Sequence, residues 1–210
     1  MNVFSRACGW ALIGAMLIVP IGASAQDRVG LIVAAGPVAT DDVRAPYFTV
    51  SAQRVFKRYF VIEGELSHFP YTLRREIGPH DITGPQGVIG RVNRTSIVDA
   101  HSLWNAGGNF LVRSTGIVRV FGGVGISASV DRTDYSQQSF GCSASLDQRI
   151  CDPFRNERSR GPLPVFRALG GIEVPITRHL GFYSSVRQET STWEDRADWL
   201  SGVAGIRFSF

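Results

Sequence analysis

The C-terminal stretch Trp199–Phe210 constrains the fold of this chain more than any other segment. Successive residues of a β-strand point to opposite faces, so alternating character predicts a strand. Here one parity is apolar and the other is smaller and more polar: Leu200, Gly202, Ala204, Ile206, Phe208 and Phe210 against Ser201, Val203, Gly205, Arg207 and Ser209. An aromatic last residue without a polar tail is expected of a strand that closes a barrel in lipid.

Seven further segments are predicted as strands. The eight predicted strands are Val29–Ala39, Pro46–Phe56, Tyr59–Phe69, His101–Arg113, Ile117–Val130, Leu163–Ile176, Leu180–Thr190 and Trp199–Phe210. The apolar residues of the first strand occupy both parities, so its two faces are not assigned. Connections after the second, fourth and sixth strands are short. Pro70–Ala100 and Asp131–Pro162, after the third and fifth, are long and are predicted as irregular external loops, the first because of its glycine and proline residues. This alternation predicts an all-β fold, an eight-stranded antiparallel up-and-down transmembrane β-barrel.

From the third strand onward, one face of the predicted strands is apolar and the other carries the charge. The charged face holds Glu63, Glu65, Arg119, Arg167, Glu173, Arg187, Glu189 and Arg207. A soluble barrel would show the reverse, with a polar exterior. A charge that faces the middle of a bilayer costs about 2–4 kcal/mol. We therefore expect the apolar face to meet lipid and the charged face to line the interior.

Residues Met1–Ala25 have the features of a cleaved signal peptide. Arg6 precedes the apolar run Gly9–Val19, and Ala23-Ser24-Ala25 forms a cleavage site of small residues. The alternative, a membrane anchor, is disfavoured because the run is shorter than the ~20 residues that span a bilayer as a helix. The mature chain, residues 26–210, is expected to be a single outer-membrane barrel domain.

Charge and cysteine content narrow the possible partners and cofactors. The full sequence carries a formal net charge of +4, and loss of Arg6 with the signal lowers it, so nucleic acid is not expected as a partner. Cys142 and Cys151 are expected to form a disulfide in an exported chain. A metal site is the weaker alternative because two thiols lack the usual companion ligands nearby. No cofactor is expected.

Several stretches together resemble the small outer-membrane β-barrel proteins of Gram-negative bacteria, most closely the OmpA-like transmembrane barrel and the opacity-type porin group. They are the Ala-Ser-Ala cleavage site, FVIEGEL (60–66), VRVFGGVGIS (118–127), LGGIEVPITRHLGFYSSVR (169–187) and GIRFSF (205–210). The resemblance implies an integral protein of the bacterial outer membrane. It also implies that Ile206, Phe208 and Phe210 form a signal read by the barrel-assembly machinery during biogenesis. Because the predicted barrel takes up the mature chain, we do not expect the periplasmic peptidoglycan-binding domain of full-length OmpA-type proteins or the cell-wall tethering that it provides.

The predicted interior charges nearly cancel, with four carboxylates facing four guanidiniums. An eight-stranded barrel is just wide enough to be filled by its own side chains, and buried charges must pair. We therefore predict a charge-paired, largely plugged lumen and a structural or surface-interaction role for a protein that is expected to be a monomer. The alternative is a narrow or gated porin-like channel for small solutes, which a one-sided ring of charge would have favoured more strongly.

Two further functions are considered from the external segments. His68, His80 and His101 lie at or beyond the external strand ends, and Ser67 and Ser102 adjoin two of them. No sequence motif combines these residues into a catalytic set. A lipid-modifying enzyme is therefore a remote alternative, and we predict no catalytic residues. Four arginines cluster in the cysteine-containing loop: Arg149, Arg155, Arg158 and Arg160. They are interpreted either as part of a solvated loop or as contacts for an anionic partner such as lipopolysaccharide phosphates or a host surface, because arginine binds phosphate in bidentate fashion.

Overall fold

The computed structural model describes residues 29–40, 43–85, 87–143, 146, 151–191 and 198–210. The predicted signal peptide and Arg149 lie outside these residues. Almost all of the described backbone is β-strand. The described residues include no helix with the length and apolarity needed to cross a membrane.

Nine antiparallel strands form one sheet. They are β1 (Val29–Ala39), β2 (Arg44–Phe56), β3 (Phe60–Ile77), β4 (His80–Gly84), β5 (Gly87–Arg113), β6 (Arg119–Cys142), β7 (Phe154–Pro175), β8 (Leu180–Ser191) and β9 (Asp198–Ser209). Eight of them close into a ring, because β1 pairs with both β2 and β9 while β3 pairs directly with β5. The ninth, β4, pairs with the outer part of β5. The predicted eight-stranded up-and-down barrel is therefore confirmed.

The barrel exterior is apolar across its middle. Side chains such as Phe110, Val124 and Phe166 face outward and are 50%, 63% and 52% exposed. In water, so large an apolar surface would favour association, whereas a bilayer covers it. A closed barrel also leaves no unpaired strand edge within the lipid. The polarity of this wall is that of a transmembrane barrel.

The structure assigns the two faces of β1, which the sequence left open. Ile32, Ala34 and Val38 point inward and are buried, while Leu31 and Val33 point outward. Both faces of this strand are apolar, so hydropathy alone could not separate them. The register with β9, in which Ile32 lies opposite Arg207, places β1 beside charged interior side chains.

Inward-facing glycines let neighbouring strands approach closely. A Cβ at Gly205 would meet the carbonyl oxygen of Val33, and one at Gly171 would meet that of Ser184. Any larger residue at these positions would push two strands apart. The barrel is accordingly narrow enough for its own side chains to fill it.

Part of the barrel wall continues past the rest as a projecting sheet, which we define as residues 69–84, 87–104, 130–142 and 154–164. β2 stops pairing with β3 at His68, and β8 stops pairing with β7 at Val165. β3 nevertheless pairs with β5 as far as Ile77, and β5 pairs with β6 as far as Cys142. The wall is therefore much taller on one side than on the other.

The prediction that Pro70–Ala100 and Asp131–Pro162 are irregular loops was wrong. Their glycine and proline pairs do mark turns, at Gly78-Pro79 and Gly84-Pro85, but most of the residues between the turns are paired strand. The barrel already holds these strands in register, so each added pair orders little extra chain while satisfying backbone donors and acceptors. Turn residues indicated where the chain reverses and not how far the ladder extends.

The predicted cysteine pair lies at the tip of the projecting sheet. Cys142 ends β6 and Cys151 precedes β7, and the two are joined by a disulfide with a Cα–Cα distance of 6.4 Å. Leu146, in the connection between them, is buried and would be met by a side chain added at Gly90. The tip is thus tied covalently and packed against β5.

Candidate functional site

The interior of the barrel contains a central cluster of five charged side chains. Glu65 accepts bonds from Arg187 at 2.6 Å and lies 3.1 Å from Arg167. The Nε of Arg167 donates to Glu189 at 2.7 Å. Arg187 and Glu189 are fully buried, as is Glu63, which completes the cluster. Ion pairs this deeply buried need additional hydrogen bonds to offset desolvation.

Amide, phenol and indole groups supply those additional bonds. Glu63 accepts one bond from Gln53 and one from Asn109, each at 2.6 Å. Glu189 accepts from the indole of Trp199 at 2.7 Å and from the hydroxyl of Tyr47 at 3.2 Å. The central cluster is therefore held by neutral donors as well as by arginine.

A second, periplasmic cluster surrounds Glu173. Its carboxylate accepts bonds from Arg119 at 2.6 Å and from Arg207, and Arg113 lies 3.6 Å away. Arg113 and Arg119 flank the short turn between β5 and β6, which marks the periplasmic end of an up-and-down barrel. The three guanidiniums converge on one carboxylate at that end of the lumen.

The eight predicted interior charges all lie inside, but they do not pair one to one. The central cluster has three carboxylates and two guanidiniums, so Glu63 relies on Gln53 and Asn109. The periplasmic cluster has one carboxylate and three guanidiniums, since it also includes Arg113, which the predicted set omitted. Carboxyl groups therefore outnumber guanidiniums at the centre, and guanidiniums outnumber carboxyl groups at the periplasmic end.

The uncharged members of the clusters were missed by sequence reasoning. Tyr47, Gln53, Asn109 and Trp199 all fall on the inward parity of their strands. Parity was therefore the signal that could have found them. The predicted interior set contained only charged residues, and these four side chains are neutral.

Aromatic rings form a layer above the central cluster, toward the projecting sheet. Phe69 packs between Tyr47 and Trp199, with ring centroids 5.9 and 5.7 Å away, and all three rings are buried. Tyr71 continues the layer and stacks on His101 at 4.4 Å. Burial, together with the nearby carboxylates of Asp131 and Asp99, raises the pKa of Tyr71 to about 12, so its hydroxyl stays protonated at neutral pH. The layer lies between the central cluster and the projecting sheet.

The external histidine and serine residues do not converge on one site. His68 Nε2 lies 3.0 Å from Ser102 Oγ on the outer face, where the imidazole stacks on Trp104. His101 lies on the inner face with its Nδ1 2.9 Å from Asp131. Because 101 and 102 are neighbours on one strand, their side chains point to opposite faces of the sheet. Ser102, His101 and Asp131 therefore cannot act together as one catalytic set.

The loop arginines are also divided between faces. Arg155 lies opposite Ser136 on the outer face and is close to Asp134, at 3.9 Å. Arg158 and Arg160 lie opposite Thr133 and Asp131, on the face that continues the interior of the barrel. The structure does not bring these three arginines together, and Arg149 lies outside the described residues.

The C-terminal residues are arranged along the lipid-facing side of the closing strand. Ile206 and Phe208 point outward, and Phe210 is 77% exposed. The amide of Phe210 donates to the carbonyl oxygen of Val29 at 3.0 Å, next to the β1–β9 closure. Among the described residues, no group of three or more histidine, cysteine, aspartate or glutamate side chains is arranged to hold a metal ion.

Comparison with solved structures identifies the class of fold. Neisserial surface protein A aligns over 88% of this chain and 97% of its own length, with a TM-score of 0.54 and 10% identity. Ail, the attachment invasion locus protein of Yersinia pestis, covers the same shares with a TM-score of 0.48 and 12% identity. OprG, an outer-membrane protein of Pseudomonas aeruginosa, aligns over 88% and 96% with a TM-score of 0.46 and 10% identity.

No protein-family model matches the sequence, and no characterised protein matches it in a sequence search. At 10% identity, the likeness to Neisserial surface protein A shows the fold alone. With the apolar exterior, that fold defines the chain as a small, eight-stranded integral β-barrel of the outer-membrane kind.

Proposed function

We propose that this protein is a non-conducting outer-membrane barrel whose plugged lumen anchors the projecting sheet for interactions at the cell surface. The lumen is inferred to be non-conducting because side chains fill the interior of the barrel. Arg187, Glu63 and Glu189 are fully buried, and Arg207 and Glu65 are nearly so. Charged side chains without access to solvent leave no continuous water path between them.

The aromatic layer supports the same proposal. Tyr47, Phe69 and Trp199 lie between the central cluster and the external side. Two of them also bond to the cluster, so displacing the layer would break bonds to Glu189. An ion would have to pass both the rings and the paired charges. The layer and the clusters are expected to act as one plug.

Planar-bilayer recording tests the plug. Purified protein is expected to give no steady conductance at moderate voltage. Arg167→Ala opens space beside Glu65 and Glu189 and is the variant expected to leak, while Arg155→Ala, on the same strand but in the projecting sheet, is the matched control. Steady wild-type conductance that changes in Arg167→Ala would favour the narrow or gated channel and contradict the plug.

The surface role is supported by the one-sided height of the wall. The projecting sheet exposes charged residues such as Arg75 and Arg155, which are 71% and 78% exposed, beyond the apolar belt. We propose that its arginines, Arg155 on the outer face and Arg158 and Arg160 on the inner face, contact lipopolysaccharide phosphates or an acidic host surface separately, each through bidentate hydrogen bonds. No catalytic role is proposed, because the external histidines pair on opposite faces.

Charge reversal tests this surface role. The triple variant Arg155→Glu, Arg158→Glu, Arg160→Glu should bind long-chain lipopolysaccharide and host cells more weakly than wild type does. Reversal of Arg91, which is 64% exposed next to Asp81, provides a control for general loss of positive charge. Equal binding by the triple variant and wild type would reject the proposal. Heat-modifiable gel mobility confirms that each variant has folded.

A further inference from the structure

A shallow apolar groove runs across the outer wall of the barrel. Its lining includes Gly108 and Phe110 on β5, Val124 and Ile126 on β6, and Phe166 and Ala168 on β7, with Gln188 and Thr190 at its β8 side; its volume is about 780 Å³. The missing side chain at Gly108 leaves a depression bordered by Phe110 on the same strand and by Ile126, which lies directly opposite Gly108 on β6. The groove faces lipid, so the ligand available to it is a hydrocarbon chain.

Small outward-facing residues continue this depression toward the external side. Ala106 and Ala128 lie opposite each other on β5 and β6, between the groove and the top of the barrel. Trp104 and Val130 form the next outward pair, at the level where β2 ends its pairing with β3. The groove thus leads to the outer rim of the apolar belt.

A polar patch lies at that rim on the same strands. His68 stacks on Trp104 with a centroid distance of 4.2 Å and lies 3.0 Å from Ser102. Arg132 is directly opposite Ser102 in the β5–β6 register. Its side chain is 61% exposed, and its guanidinium forms an ion pair with Glu157, whose side chain is 54% exposed. This rim patch, defined as His68, Ser102, Trp104 and Arg132, combines hydrogen-bonding groups with an accessible cation.

The separation between groove and patch matches the depth of one leaflet. Six residues separate Gly108 from Ser102 on β5. At about 3.4 Å per residue and a tilt of about 40°, they rise roughly 16 Å along the membrane normal. Half of a hydrocarbon core of about 25–30 Å is roughly 12–15 Å. An acyl chain lying in the groove would therefore place its headgroup at the rim patch.

We propose that the groove and the rim patch form one binding site for an acylated, phosphate-bearing lipid of the outer leaflet, namely lipid A. One acyl chain lies over Ala106, Ala128 and Gly108, with its end against the ring of Phe110. The phosphate binds the guanidinium of Arg132 and accepts a hydrogen bond from Ser102, while Trp104 marks the interface. The site runs from the barrel wall to the base of the projecting sheet and does not depend on the plugged lumen or on Arg155, Arg158 and Arg160.

Gly108→Leu tests the acyl part of the site. A Cβ at Gly108 would have only the carbonyl oxygen of Glu63 nearby, at 3.5 Å, so the barrel should tolerate a side chain that fills the groove. Gly202→Leu is the matched control, because Gly202 faces outward on β9 and a Cβ there would meet nothing within 4 Å. Arg132→Gln tests the phosphate part, with Arg75→Gln on the opposite face of the sheet as its control.

The measurement is native mass spectrometry of the full barrel in mild detergent, titrated separately with lipid A and with phosphatidylglycerol. We expect one saturable lipid A per barrel, with binding about tenfold weaker in Arg132→Gln, since charge-assisted hydrogen bonds are the strong ones. Gly108→Leu should weaken it about tenfold by excluding buried methylenes. Both controls should bind as wild type does.

Two outcomes would overturn the proposal. One is equal lipid A affinity in all five proteins, each shown by gel mobility to be folded. The other is phosphatidylglycerol binding as tightly as lipid A with the same dependence on Gly108 and Arg132, which would assign the site to phospholipid.

Discussion

The two halves of β7 show how environment decides what one kind of residue does. Within the barrel, Arg167 is buried between Glu65 and Glu189 at 3.1 and 2.7 Å. Farther along the same strand, in the projecting sheet, Arg155 is 78% exposed and 3.9 Å from Asp134. Sequence alone presents two arginines near carboxylates. Burial in the lumen makes the ion pairs of Arg167 necessary for stability. Arg155 is exposed to solvent and can therefore bind a ligand.

The largest expected difference between these halves is in stability. Arg167→Ala leaves Glu65 and Glu189 buried without that cation, which should cost about 3–5 kcal/mol of unfolding free energy. Arg155→Ala removes an exposed pair and should cost less than about 1 kcal/mol. Urea unfolding in vesicles, followed by the heat-modifiable gel shift, measures both. Equal losses in the two variants would show that the lumen is as hydrated as the surface.

Glycine substitutions sharpen the same comparison through sterics. Gly171→Ala places a Cβ against the backbone of Ser184 and the ring of Phe121, and overpacking of this kind costs about 1–3 kcal/mol. Gly78→Ala, at the turn between β3 and β4, meets nothing within 4 Å and should leave stability unchanged. The same unfolding assay applies. A neutral Gly171→Ala would mean that the strands are less closely packed than described.

Much of the barrel was predictable because a transmembrane strand must alternate. Leu200, Ile206 and Phe208 face lipid while Arg207 faces the lumen, as period-two reading predicts. In β1 that rule failed because Ile32 and Leu31 are both apolar although they face opposite sides. Alternating hydropathy shows which side of the wall a residue faces only where the two sides of the strand differ in polarity.

The rest of the structure depends on pairing between distant segments. Thr95 lies opposite Ile77 and Ser139, and that three-strand register gives the projecting sheet its height. Glycine and proline marked the turns but carried no information on ladder length. The interior positions of the charges followed from parity, whereas their grouping around Glu173 and Glu65 depends on strand stagger, which the sequence does not display.

Deletion of Phe210 is expected to impair outer-membrane assembly much more than it lowers the stability of the folded barrel. The residue is largely exposed and contributes one backbone hydrogen bond to Val29, worth about 1 kcal/mol. If the C-terminal residues are the assembly signal, the deletion should sharply lower outer-membrane levels in cells while refolding from urea changes little. Surface labelling and membrane fractionation, beside an in vitro refolding assay, measure the two effects. Normal membrane levels would remove that role from Phe210.

The smallest effect on the barrel is expected from the disulfide. Replacing Cys142 and Cys151 by serine releases a loop closure worth roughly 2–3 kcal/mol, but only at the tip of the projecting sheet. Protease cleavage near the tip should become faster, while the temperature of the barrel's gel shift stays the same. A lowered shift temperature would show that tip and barrel unfold together, which would contradict the separation of the two regions.

Accessibility of the lumen tests the central claim most directly. Ser127 is buried on the inward face of β6, and Ser159 is exposed in the projecting sheet. Single Ser→Cys variants at these positions, in vesicles, would be treated with a small charged methanethiosulfonate reagent; Cys142 and Cys151 are joined and do not react. A plugged lumen predicts rapid labelling at 159 and almost none at 127. Comparable labelling at both positions would show a water-filled lumen and contradict the account.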